Sequence, residues 1–301
     1  MGQDIPLIRS YEDLLQRPLY APSLHFYPKA SRRFGSLICP TDFADSAPCG
    51  IASCRTPHLH GYLITTSDGQ ETNIGSHCGK KHFGIEFTQE RRRVDQALIR
   101  TRRIASIREL QAVLPTLIEQ LDSLEAGHKS LVELKQRLMG AIGTDVFSVL
   151  KIRADRGDNV ITRPRPMTKK EADIFFETSN RHPGDGLGWP TKDEPVATLE
   201  GLAYIKARAK DIILLNLVEP LRNLAQIKGA DLDDMKSREL GMWSKLVGEL
   251  PVRIAQAQEV VQAGWRFFTP ANIRSLTFIG ADAKTLNPMI QALEQDAKVH
   301  G

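Results

Sequence analysis

The stretch Cys49-Gly-Ile-Ala-Ser-Cys54-Arg-Thr-Pro-His58-Leu-His60-Gly-Tyr, continued after a short insert by Ile74-Gly-Ser-His77-Cys78-Gly-Lys80-Lys81-His82-Phe-Gly84, decides how the first third of this chain is read. Together with Cys39 it holds every cysteine of the 301 residues, and the 223 residues after Cys78 contain none. Thiolate is a soft donor well suited to Zn²⁺, and ligands grouped around a hairpin-sized insert can close a tetrahedral site. Cys49, Cys54 and Cys78 are therefore expected to hold a zinc ion. His82 is the leading fourth ligand, because four residues beyond Cys78 it shares a helix face with it. His58, His60, His77 and Cys39 remain alternatives. The absence of any His-Glu-x-x-His or His-x-Glu pattern favours a structural over a catalytic ion.

Between the ligand groups, His58–Thr66 and Gln70–Gly75 read as two strands, with Asp68-Gly69 as the turn, since a tight hairpin turn needs the positive φ that glycine supplies. A helix is predicted to begin near Lys80. The order of Cys-x4-Cys knuckle, polar hairpin and Ile74-Gly-Ser-His-Cys-Gly-Lys-Lys-His-Phe-Gly84 resembles small treble-clef or zinc-ribbon modules, over about 40 residues. The resemblance implies a zinc-bound hairpin leading into a basic helix, and such modules bind nucleic acid or act as structural staples.

Charge is uneven. Residues 28–103 carry twelve Lys/Arg against seven Asp/Glu, whereas residues 104–301 carry 26 of each. Seven arginines fall within residues 91–108. Lys80, Lys81, Arg91, Arg92, Arg93, Arg100 and Arg103 form a candidate surface for a phosphate backbone, where binding would release counterions and weaken with salt. Aromatic content is only 6%, which disfavours a base-stacking platform.

From Glu90 onward the pattern is helical. Ile107, Leu110, Leu114, Leu117, Leu121, Leu124, Leu131 and Leu138 follow heptad spacing, with His128 at one seam position and Pro115 expected to start or kink a helix. The spacing suits an intramolecular hairpin or a homodimer. Further helices are predicted over 199–227, 235–250 and 252–264, and Thr269-Pro270 should open a short one. In residues 155–196, Pro164, Pro166, Pro183, Pro190 and Pro195 suggest loop, apart from a helix begun by the capping box Thr168-Lys-Lys-Glu171.

The expected architecture is thus mostly α: an arm (1–35), a small zinc-stabilised β-hairpin module (36–89), a basic helix and coiled-coil-like helices (90–154), a connecting region (155–196) and a helical domain (197–301). No run of 18 apolar residues and no signal-like N-terminus are seen, so a cytoplasmic protein with no membrane partner is expected. No phosphate loop or dinucleotide fingerprint is present. The expected function is non-enzymatic zinc-dependent binding of nucleic acid, with a protein-interaction adaptor, in which zinc is purely structural, as the alternative.

Overall fold

The computed structural model describes residues 6–300; the first five residues of the expected arm, and residue 301, lie outside the described residues. With 61% of the chain helical, the mostly α expectation holds. The chain divides into two compact units, one made of Met1–Leu110 with Ile227–Val247 and the other of Gln111–Gln226 with Gly248–Gly301.

In the first unit the hairpin is part of a larger sheet. After α1 (Tyr11–Leu15), strands β1 (Phe34–Pro48), β2 (Pro57–Thr66) and β3 (Glu71–Gly75) form an antiparallel sheet in the order β1-β2-β3. The expected turn is present, with Gly69 at φ 82. Strand β1 had no counterpart in the sequence reading. Its three register irregularities against β2 break the two-residue alternation by which a strand is recognised.

The arm is tied to this sheet. Arg17 grips Glu71 with two hydrogen bonds of 2.5 and 2.9 Å, Thr72 Oγ1 donates to the Ala21 carbonyl, and Leu24 exchanges backbone hydrogen bonds with Gly50 and Ala52. Apolar side chains collect in two clusters. Leu63, Cys39, Phe43 and Leu14 belong to one; Ile64, Ile74, Cys49, Cys78, Phe87 and Val94 belong to the other. The division between Leu63 and Ile64 follows from the alternation of side chains along β2.

Helix α2 (Ser76–Arg156) begins four residues before the expected Lys80, so Cys78 sits inside its first turn. Gly84 and Gly143 within it have φ values of 61 and 73, outside right-handed helical geometry. The first of these lets the chain turn a corner. A Cβ on Gly79 would lie 2.4 Å from the Phe87 ring, an approach that eight residues of straight helix, about 12 Å of rise, would not permit. Pro115 neither starts nor ends a helix, and the whole heptad run lies on α2.

Segment 227–247 completes the first unit, with α6 (Asp231–Asp234) and the beginning of α7 (Ser237–Phe267). Here the arginines of α2 act as clamps. Arg100 donates to the carbonyls of Met235 (2.7 Å) and Asp233, Arg103 to that of Ser237 (3.4 Å), and Arg108 pairs with the Asp233 carboxylate at 2.7 Å. A cation suits the Asp233 and Met235 carbonyls at the end of α6, which have no partners within that helix.

In the second unit the supposed loop of 155–196 contains a two-stranded antiparallel ribbon, β4 (Val160–Pro166) with β5 (Thr191–Thr198), enclosing α3 (Lys169–Thr178). The capping box at Thr168 and Glu171 is present. Prolines suggested loop, but in a two-strand ribbon each strand has one edge on which no N–H is needed. Helix α4 (Leu202–Lys206), a π-helical segment (Asp211–Val218) and α5 (Glu219–Gln226) follow. The third and fourth predicted helices are a single α7 running through Pro251. Thr269 caps α8 (Pro270–Ser275) as expected, and α9 (Ala283–His300) closes the chain. The heptad residues Leu114, Leu121, Leu131 and Leu138 are buried within this single chain, and a Cβ on Gly264 of α7 would lie 2.5 Å from Leu131.

The corner at Gly84 generates a test. Gly79→Ala forces a methyl into the buried Phe87 ring and should destabilise the protein by about 1–3 kcal/mol. The urea midpoint measures it, and in a Phe87→Leu background the same substitution should cost clearly less.

Candidate metal centre

Three structural pieces bring three sulfurs together. Cys49 directly follows β1. Cys54 closes a tight turn in which the Ile51 carbonyl accepts from the N–H groups of Cys54 (2.8 Å) and Arg55 (3.1 Å), with Arg55 at φ 52. Cys78 arrives from the first turn of α2. Gly50, inside the turn, donates to the Asn73 carbonyl at 2.7 Å, and a Cβ there would lie 1.8 Å from Thr72 Oγ1, so only glycine lets the turn seat on β3.

The Sγ atoms of Cys49, Cys54 and Cys78 all lie within 4.8 Å of one another, with Cys54 and Cys78 3.1 Å apart. Sulfurs bound at about 2.3 Å to one tetrahedral ion stand about 3.8 Å apart, so the trio has the dimensions of a metal site. Its electrostatics point the same way. Burial raises the Cys49 thiol, although the N–H groups of Ile51 and Gly75 reach its sulfur. Burial, helped by the bond to Cys54, pushes Cys78 up to about 12. At Cys54 burial also opposes ionisation, but hydrogen bonds with Thr56 and Cys78 outweigh it and bring the thiol down to about 7. The protein by itself favours one thiolate in this cluster; a dication would allow three.

Cys39 does not join the trio. It pairs with Leu63 in the other apolar cluster, where burial raises its thiol to about 11. Beside the sulfurs opens a cavity of about 730 Å³, whose wall includes Cys54, Cys78, His58, His60, His77, His82 and Lys81. His60 is exposed and its Nδ1 lies 2.7 Å from Asp42. His77 and His82 are exposed. The His82 imidazole is lowered below its usual range by partial burial and by Lys81. His58 is lowered by burial, and neither of its ring nitrogens, both shielded from solvent, has a hydrogen-bond partner.

Compared with protein-family models, with curated proteins and with solved structures, the chain matches none. Among the described residues no helix is long and apolar enough to cross a membrane.

Of the expected phosphate-binding residues, Arg91 lies 3.8 Å from Asp95 and Arg93 2.9 Å from Glu90, and Arg100 and Arg103 hold the 233–237 backbone. Lys80, Lys81 and Arg92 are exposed and have no ion pair or side-chain hydrogen bond among the described residues. The sequence reading missed the supports of the trio: Thr56, and the N–H groups of Ile51 and Gly75. Backbone donors leave no trace in residue identity, whereas Thr56, two residues after Cys54, was a readable signal.

In metal-free, reduced protein, Cys54 should be the thiol that ionises first. Iodoacetamide labelling followed by peptide mass spectrometry should modify Cys54 with a midpoint near pH 7, faster above it and slower below. Cys39, Cys49 and Cys78 should stay largely unlabelled there, and added zinc should protect Cys54.

Proposed function

We propose that the protein binds one zinc ion through Cys49, Cys54 and Cys78, and that the ion is a structural staple in a non-enzymatic scaffold. The convergence of three sulfurs within 4.8 Å carries this reading. Soft thiolates in a tetrahedral arrangement select zinc among the common cellular dications, and the resemblance to treble-clef and zinc-ribbon modules supports the same choice. A structural role is supported by where the ligands come from. The ion would tie the end of β1 to the start of α2, two segments on either side of the β2–β3 hairpin. Leu114, Leu121, Leu131 and Leu138 of the heptad run are already buried inside the chain, so the run by itself does not call for a partner helix.

Purified protein should contain one zinc per chain by elemental analysis. Cys49→Ser, Cys54→Ser and Cys78→Ser should each lose it, and Cys39→Ser should keep it. Chelation should lower the melting temperature clearly; an unchanged melting curve would exclude the staple.

A second reading, contact with a nucleic-acid backbone, rests on Lys80, Lys81 and Arg92, the members of the basic set left without internal partners. Three cations bound to three phosphates give a salt dependence of log K no steeper than about −3. Fluorescence anisotropy with single- and double-stranded DNA and RNA at several salt concentrations should show that shallow slope, and neutralising the three together should abolish binding. Binding that survives their neutralisation would rule this surface out.

A further inference from the structure

We infer that His58 is the fourth ligand of the zinc site, completing a closed Cys3His centre. The inference rests on the zinc reading above and goes beyond it by naming the residue that seals the site.

The argument starts from an unsatisfied side chain. Both ring nitrogens of His58 are shielded from solvent, and neither has a hydrogen-bond partner. Shielded imidazole nitrogens normally find a donor or acceptor, and an unexplained pair calls for a missing ligand or ion. The surroundings are shaped for this ring. Gly61 and Gly75 face each other across β2 and β3, and the imidazole lies over both: a Cβ on Gly61 would be 2.8 Å from His58 Cε1, and one on Gly75 3.2 Å from Cδ2. His58 also lines the same cavity as Cys54 and Cys78.

As placed, the imidazole stands outside the group formed by the three sulfurs. Swinging toward them breaks no hydrogen bond, because the ring makes none, and gives up a stacked contact with Phe43, whose ring centroid lies 6.4 Å away. The other side chains have less claim. Cys39 lies in the other apolar cluster, His60 is engaged with Asp42, and His77 and His82 are exposed, so water satisfies their nitrogens. Ligation by His58 would draw β2 into the staple, joining all three parts of the module. Neutral imidazole with three thiolates is also a familiar donor set for structural zinc.

The test is cobalt substitution in the reduced, metal-free full chain, comparing wild type with His58→Ala, His82→Ala and His58→Cys. Wild type should give the visible ligand-field bands of a tetrahedral thiolate–imidazole site, and His82→Ala should reproduce them. His58→Ala should alter or weaken the bands and reduce zinc affinity by at least the roughly 10–100-fold that loss of an outer-shell partner costs. His58→Cys should restore an intense spectrum, shifted to longer wavelength by the fourth sulfur, which separates loss of a ligand from loss of folding. Wild-type bands and affinity in His58→Ala, or the loss appearing in His82→Ala instead, would overturn the assignment while leaving zinc binding intact. A wild-type chain that binds neither cobalt nor zinc would defeat the zinc reading itself.

Discussion

Three thiols held within 4.8 Å in a partly buried corner set the terms for the first unit. Without a cation they can be accommodated only by keeping most of their protons, as the opposed behaviour of Cys54 and Cys78 indicates. The surrounding parts converge on that corner. The turn at Gly50 seats against β3, the arm bonds to both sides of the turn through Leu24, and the first turn of α2 delivers Cys78 before the chain bends at Gly84. Phe87 then returns over Gly79 and closes the apolar cluster to which Cys49 and Cys78 belong.

Local signals in the sequence were reliable where one residue type answers one backbone need. Gly69 supplies the positive φ of the hairpin turn, Thr168 and Glu171 cap α3, and Thr269 with Pro270 opens α8. Features that depend on partners were harder to read. Strand β1 is irregular because its bulges fit it to β2, and β4 and β5 tolerate proline because no third strand flanks them. Cys39 stood among the alternatives for a fourth ligand by proximity in sequence, yet the fold seats it in the opposite apolar group. The arginine stripe is the clearest case. Its spacing showed a basic helix, but nothing in residues 91–108 announces that carbonyls from 233–237 will occupy Arg100 and Arg103.

A similar long-range compensation stabilises an unusual stretch of the second unit. Pro220 cannot donate an N–H, and its ring would crowd the carbonyl four residues earlier, that of Asn216. The chain around Asn216 adopts π-helical geometry, and Arg253 of α7 donates to the Asn216 carbonyl. Arg253, 37 residues beyond Asn216 in sequence, thus meets a carbonyl to which Pro220 has no N–H to offer.

The clamps made by Arg100, Arg103 and Arg108 also give the molecule a timetable. The first unit is discontinuous, needing Ile227–Val247 to join Met1–Leu110. At ribosomal rates of about 5–20 residues per second, the later segment is made roughly 7–27 s after Leu110. For that interval the nascent sheet and its thiols would be present while three arginines of α2 still lack the backbone they hold in the finished protein. The cysteine corner, complete once Cys78 has been made, is among the organising contacts of this unit that do not have to wait.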